Sequence, residues 1–377
     1  MKKCLYSKYC GGCSYQGIEY NEQLIMKYNS VSNLFNGVCD VNDIIGMQDP
    51  YNYRNKMQVS LGYDEKHNVI YGNYVTSTHT IVPIDNCNIC NAKANEIINS
   101  IVRITKKLKI SIFDENVMKG CLRHILVRCT NTNQYMVILV TGSSNIIKKD
   151  QLIKEILFYN KEVTTIIQNI NNSRTSMVLG KKNIVLYGKG YIIDNLLGLS
   201  FKISPNSFYQ VNSRQTEILY KEAIKAASLN KNDILIDAYC GTGTIGLACS
   251  KYVYKVIGVE INKSSILDAL NNAKYNNINN AEFICADASR FMNDLAYRKT
   301  RIDVVIMDPP RSGADIKFLK ALSFLKPQRI VYISCNPNTL KDNLLFLNKF
   351  YDIESLTPVD MFPFTDHIEC ITKLSLK

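Results

Sequence analysis

No stretch of the 377-residue chain approaches the roughly 18–20 consecutive apolar residues that a membrane-spanning helix requires. The opening Met1-Lys-Lys-Cys4 has no hydrophobic segment of the kind that marks a secretory signal. Internal repeats and low-complexity tracts are also missing, which leaves no basis for a repeat architecture. Acidic residues are in short supply, with 33 Asp and Glu against 45 Lys and Arg, a net charge of +12. These absences predict a soluble, cytoplasmic protein, and a monomer is the expectation. What is present in quantity is apolar surface, 46% of residues, ample for a buried core. The length suggests two or three domains, at about 100–200 residues each.

Two compositional excesses bear on function. Thirteen cysteines in a reducing compartment read as metal ligands, nucleophiles or core residues rather than disulfides. The positive charge is concentrated early: the first 190 residues hold 23 of the Lys and Arg but 14 of the Asp and Glu. With 23 tyrosines in the chain, that balance suits a polyanion that is also stacked upon, such as RNA. A Lys- and Asn-rich composition that is basic by drift is the alternative.

The most informative stretch is Ile234-Leu-Ile-Asp-Ala-Tyr-Cys-Gly-Thr-Gly-Thr-Ile-Gly246. Its aliphatic start reads as a buried parallel strand that breaks at Asp237 into Gly241-x-Gly243-x-x-Gly246 and opens a helix. Glycines there allow a tight bend and the close approach of a ligand. A second apolar run, Val256-Ile-Gly-Val259, ends at Glu260, placed to hold a ribose through its hydroxyls. The context points to a nucleotide-type cofactor, with a plain turn or a nicotinamide site as the alternatives.

Cys4, Cys10 and Cys13 come within ten residues, two of them separated by Gly-Gly, and Cys87 is the obvious fourth thiolate. Such a set suits a [4Fe–4S] cluster or a structural zinc. Cys-Gly-Gly-Cys is also compatible with a redox dithiol, and Cys90 with replacing Cys87.

The patterning predicts a helix over 19–36 with Leu24, Ile25, Tyr28, Val31, Leu34 and Phe35 on its buried side. Strands and turns follow from Asp49 to Pro83, where Arg54 and Lys56 beside Tyr51 and Tyr53 suit phosphate contact next to a stacking face. A helix at 92–108, strands at 122–129 and 135–141, a helix near 152–157 and a strand at 163–169 complete a first α+β half. Arg123 and Arg128 are expected on opposite faces of their strand. Gly188 and Gly190 mark the hinge, so residues 1–190 and 191–377 are the expected domains. The second half alternates strand and helix, which implies a doubly wound, mainly parallel sheet with ligands at the carboxyl ends of its strands. Gly241, Glu260, Asp287, Asp308 and Cys335 all fall at or just past such ends.

Asp308-Pro-Pro-Arg311 and Ser334-Cys-Asn-Pro337 emerge from two successive strands. A strand-end thiol beside Arg311 and a helix start is placed to act as a nucleophile, although a buried structural cysteine reads similarly. Thiolate addition to uracil C6 would activate C5 toward an electrophilic methyl group. The C5 proton then needs a base, for which Glu369 and His367 compete.

Taken together, these motifs resemble the S-adenosylmethionine-dependent RNA 5-methyluridine methyltransferases, in particular the iron–sulfur branch acting on 23S rRNA. The resemblance rests on Cys4, Cys10-Gly-Gly-Cys13, Gln16, Cys87, Ser204-Pro-Asn-Ser-Phe-Tyr-Gln210, Asp237-Ala-Tyr-Cys-Gly-Thr-Gly-Thr244, Glu260, Asp308-Pro-Pro-Arg311, Ser334-Cys-Asn-Pro337 and Asp360-Met-Phe-Pro363 with His367-Ile-Glu369. It implies a C-terminal Rossmann-like class I methyltransferase domain behind an N-terminal α+β region. It further implies Cys335 as nucleophile and Glu369 as proton acceptor. Gln210, Tyr239, Thr244, Glu260 and Asp308 would contact S-adenosylmethionine, with Asp287 near the adenine. Cys4, Cys10, Cys13 and Cys87 would hold a [4Fe–4S] cluster. The tRNA-modifying branch shares the C-terminal motifs but lacks the cysteines, so 23S rRNA is the expected substrate and tRNA the alternative. A non-catalytic RNA-binding protein with a relict cofactor site is disfavoured, since RNA binding alone requires neither Cys335 nor Glu369. Many relatives carry a small β-barrel domain ahead of the first cluster cysteine, and Phe364 stands where they often have a polar residue.

Overall fold

The computed structural model describes residues 4–75, 78 and 80–377; Met1-Lys-Lys3, part of the expectation of no leader segment, lies outside the described residues. In chain order the elements are α1 (Tyr20–Phe35), β1 (Lys56–Tyr63), β2 (Val69–Tyr74), β3 (Ile81–Pro83), α2 (Ala92–Leu108), β4 (Leu122–Cys129), β5 (Tyr135–Thr141), α3 (Lys149–Tyr159), β6 (Val163–Ile170) and β7 (Lys182–Gly188). A hairpin of β8 (Ile192–Leu196) and β9 (Leu199–Ile203) follows. Then come α4 (Ser213–Ala227), β10 (Ile234–Ala238), α5 (Thr244–Cys249), β11 (Lys255–Glu260), α6 (Lys263–Tyr275), β12 (Ala281–Cys285) and α7 (Ala288–Tyr297). The chain closes with β13 (Val304–Met307), α8 (Ile316–Leu325), β14 (Arg329–Ser334), α9 (Pro337–Leu347), β15 (Tyr351–Val359) and β16 (Glu369–Leu376). No helix among the described residues is long and apolar enough to cross a membrane.

The chain forms two compact units, and the division is not a single cut near residue 190. The first comprises Met1–Gly17, Pro50–Asn195 and Lys202–Asn206; the second, Ile18–Asp49, Leu196–Phe201 and Ser207–Lys377. The first unit is a seven-stranded sheet of order β3-β2-β1-β4-β5-β6-β7. Only β5 and β6 run parallel, because α3 carries the chain across between them. β4 and β5 are buried along their whole length, so both read as unbroken apolar runs apart from Arg123, His124 and Arg128. Both arginines are held by internal partners. Arg123 is held by Glu115 and the carbonyls of Asn171 and Ser173, and Arg128 by the carbonyls of Ser204 and Pro205.

The second unit is built on a sheet of order β12-β11-β10-β13-β14-β16-β15. β10 to β14 are mutually parallel, and β16 enters antiparallel between β14 and β15. β10 and β13 are central strands, and Leu235, Ile236, Val304 and Val305 are fully buried in them. α1 belongs to this unit and packs largely on the face its periodicity suggests, with Leu24, Tyr28 and Leu34 half-buried. Its buried residues are Gln23, Lys27, Val31 and Phe35, whereas Ile25 is exposed. Val31 and Phe35 join the apolar core, while Gln23 and Lys27 are buried against polar partners that hydropathy alone does not reveal.

Candidate active site

The strand ends of the second sheet converge on one cleft. Leaving β10, the chain adopts positive φ at Tyr239, Gly241 and Gly243 before α5 begins at Thr244. Tyr239 takes this left-handed conformation without being glycine, a strain of the kind that collects at binding sites. Asp237, 1% exposed, accepts the Gly246 amide at 2.8 Å and so fixes the turn. Gly246 is required by space: a Cβ there would lie 2.8 Å from Asp237 Oδ2 and 2.9 Å from Val256. The cleft over this turn is lined by Phe208, Tyr209, Gln210, Thr216, Tyr220, Asp237, Tyr239, Thr244 and Asp308.

Four of the expected cofactor residues (Gln210, Tyr239, Thr244 and Asp308) therefore share one wall-to-wall site. Glu260 stands at its rim, where Oε2 accepts the Gly241 amide at 3.3 Å and Oε1 the Asn262 amide at 2.8 Å. Asp287 caps α7 through the Arg290 amide and lies close enough to Tyr239 to act on it electrostatically. Tyr220 was not legible beforehand. It sits in the middle of α4, fully buried, and shares a 3.1 Å hydrogen bond with Thr244. Nothing in the spacing of α4 marks that tyrosine as anything but core.

Beside the cleft, antiparallel register explains why Cys335 and Glu369 meet. Ser334 is paired with Cys370 across β14 and β16, so one step further Cys335 stands opposite Glu369. Asn336 braces the corner: its amide donates to the Arg311 carbonyl at 2.9 Å and its oxygen caps α9 at Asn338. Glu369 is 5% exposed, and its Oε2 is buried with no hydrogen-bond partner. Burial, reinforced by the neighbouring Asp308, holds the Glu369 carboxyl well above the usual carboxylate range, against the pull of Arg311. Burial alone lifts Asp308 to about 7, and Asp237 reaches about 7 for the same reason. The Cys335 thiol is pushed up by burial, then by Glu369 and Asp308, more than Arg311 draws it down. The expected activation by Arg311 is thus present but outweighed.

His367 is the weaker base candidate. Its Nε2 lies 3.2 Å from Arg311 Nη2, and since guanidinium only donates, that nitrogen is an occupied acceptor.

In the first unit, Cys4, Cys10, Cys13, Cys87 and Cys90 line a cavity of about 310 Å³ together with Gln16, Arg54 and Lys56. Cys87 is brought down to about 6 chiefly by a hydrogen bond from Cys90, which is itself raised. Lys56 is lowered to about 8 by burial beside Arg128 and Arg54. Among the described residues no group of three or more His, Cys, Asp or Glu side chains converges tightly enough for a single metal ion.

Sheet order and strand-end cleft define the class: this is an α/β protein with the Rossmann-like fold of S-adenosylmethionine-dependent methyltransferases. The chain belongs to the tRNA (uracil-5-)-methyltransferase family, whose model matches residues 19–377. It is 43% identical to an uncharacterised RNA methyltransferase of Staphylococcus aureus (strain MRSA252), over 99% of this chain and 84% of the relative. An uncharacterised RNA methyltransferase of Oceanobacillus iheyensis is 41% identical over 98% and 82%. Among solved structures, the Pyrococcus abyssi tRNA (uracil-54, C5)-methyltransferase in complex with S-adenosyl-L-homocysteine is similar at a TM-score of 0.78. Its identity is 27%, over 97% of this chain and 86% of that one.

Proposed function

We propose that the protein transfers a methyl group from S-adenosylmethionine to C5 of a uridine in 23S rRNA. The observation that carries this reading is the juxtaposition of Cys335 and Glu369 just past the Ser334–Cys370 pair, where Glu369 and Asp308 both act on the Cys335 thiol. The Cys335 thiolate adds to uracil C6, and the electron pair of the C5–C6 double bond moves onto the C4 carbonyl. The resulting enolate attacks the sulfonium methyl through C5, and S-adenosylhomocysteine leaves. The Glu369 carboxylate then removes the C5 proton, and the electrons released expel the Cys335 thiolate to restore the double bond. A carboxylate of raised proton affinity is the better base for that step. Gln210, Tyr239, Thr244, Glu260 and Asp308 would bind the methyl donor, with Asp287 toward the adenine.

Residues 191–377, joined by residues 18–49, would be the catalytic part of the chain, and the rest of residues 1–190 would bind RNA. A [4Fe–4S] cluster suits the cysteine cavity: its donors are all thiols, and Cys13 lies near enough to Cys87, Cys10 and Cys4 to feel each of them. Cys4, Cys10, Cys13 and Cys87 would hold the cluster, whose contribution is to tie residues 4–13 to the turn at Cys87. The cysteines favour rRNA. A second reading, methylation of tRNA, is supported by the similarity of almost the whole chain to the Pyrococcus tRNA enzyme.

The deciding experiment supplies labelled methyl donor to the purified protein with unmodified 23S rRNA fragments and, in parallel, tRNA transcripts. Label at a single uridine C5 in 23S rRNA is the expected result. Label confined to tRNA would move the substrate to the second reading.

A further inference from the structure

α1 presents Tyr20, Gln23 and Lys27 along one helical face, and all three reach the segment between β15 and β16, residues 360–368. Lys27, 2% exposed, donates to Asp360 Oδ1 at 2.7 Å, to the His367 carbonyl at 2.9 Å and to the Phe362 carbonyl at 3.2 Å. An ammonium has three protons, and all three are engaged. Tyr20 donates to the other Asp360 oxygen at 2.9 Å, and Gln23 Oε1 accepts the Phe364 amide at 2.9 Å. Phe364 is buried with φ +68°, so this amide contact holds a backbone kink that a non-glycine residue does not favour.

Lys27 spans the neck of the segment. Asp360 directly follows β15, and His367 lies two residues before Glu369, the first residue of β16. Since Glu369 Oε2 has no hydrogen-bond partner, that oxygen is not fixed by a polar contact of its own, and the backbone path through His367 takes over the task. We propose that Lys27 is a positioning residue for the methyl transfer, its ammonium closing the 360–368 segment so that Glu369 faces the C5 proton. The inference rests on the proposed function of the site, and deepens it. A buried ammonium is costly unless its partners are specific, and an apolar residue would fill the same volume without tying two carbonyls together.

The experiment is a single-turnover reaction on the methylated substrate RNA identified above, in its unmodified form, comparing wild type, Glu369→Gln, Lys27→Met and the double variant Lys27→Met/Asp360→Asn. The double variant removes the unpaired buried carboxylate that Lys27→Met alone leaves behind, yet still leaves the Phe362 and His367 carbonyls without their donor. Glu369→Gln should trap a covalent protein–RNA adduct that carries the methyl group. Both Lys27 variants should trap the same adduct in part, with the single-turnover rate constant down by about ten- to a hundredfold, the scale of an ångström-sized misplacement. Affinity for the methyl donor should be unchanged. Turnover at the wild-type rate in the double variant, or slow turnover with no adduct, overturns the role of Lys27. Absence of adduct in Glu369→Gln with turnover intact overturns the assignment of the base, and the role of Lys27 with it.

Discussion

Glu369, Asp308 and the Cys335 thiol lie close together, and burial, reinforced by their like charges, sets how the site should respond to pH. Glu369 and Cys335 are both held above their ordinary values, so the fraction of each in its working, deprotonated form rises with pH. Methyl transfer should therefore climb as pH rises, with an acid limb above the usual carboxylate range. Asp308 contributes to raising both groups, so Asp308→Asn should move that limb to lower pH when the methyl donor is saturating. A pH–rate profile checks this, and an unmoved limb would remove Asp308 from the electrostatics of the site. Cys335→Ala should abolish both turnover and adduct; full activity in that variant would exclude the thiolate mechanism. Asp237 reports on the fold rather than the chemistry. Its folded value of about 7 lies above the unfolded value near 4, so the folded state binds the extra proton between them. That contribution is complete below about pH 4 and is lost as pH rises through about 7. Asp237→Asn should consequently gain stability relative to wild type between those limits, which melting curves at pH 5 and pH 8 would measure.

At the scale of elements, the second unit was legible because burial and periodicity agree there. Strand Ile234–Ala238, the turn after it and Glu260 at the end of the next strand are where a parallel-sheet pattern puts them. Cys335 and Glu369 were readable as strand-end residues, but their opposition depends on β16 running antiparallel beside β14, which no local signal encodes. The apolar face of α1 is legible from its periodicity, but the burial of Gln23 and Lys27 on that face is not, since their partners lie more than 330 residues away in sequence. The first unit is harder still, since its sheet joins β3 to β7 through pairings that no local signal specifies, and only β4 and β5 are buried throughout. The glycine turn permits a direct test of the element it opens. Gly246→Ala places a methyl group against Asp237 and Val256, both fixed in central strands. Overpacking of this kind costs about 1–3 kcal/mol, so a fall in stability together with weakened binding of the methyl donor is expected. Calorimetric titration and thermal melts of the variant measure the two effects separately, and wild-type values in both would show that the turn has room to relax.

For the whole molecule, the two candidate sites draw on different parts of the chain. Every residue lining the cysteine cavity lies within residues 4–90, whereas the methyl-donor cleft is lined from residue 196 onward. The family match begins at residue 19, after Cys4, Cys10 and Cys13, so the three early cysteines stand outside the segment that defines the family. A function in substrate choice is consistent with that placement, because the chemistry of C5 methylation calls on none of them. If the cluster ties residues 4–13 to Cys87, its loss should alter RNA binding and leave the cleft intact. Replacing Cys10 and Cys13 together by serine should eliminate iron, bound at four atoms per chain in the parent protein if the cluster is [4Fe–4S]. Affinity for the RNA substrate should drop in the same variant, while affinity for S-adenosylmethionine stays at its wild-type value. Zinc in place of iron in the parent protein would replace the cluster with a structural ion. Equal loss of both affinities would instead show that the cysteines support the fold of the whole chain rather than the surface that meets RNA.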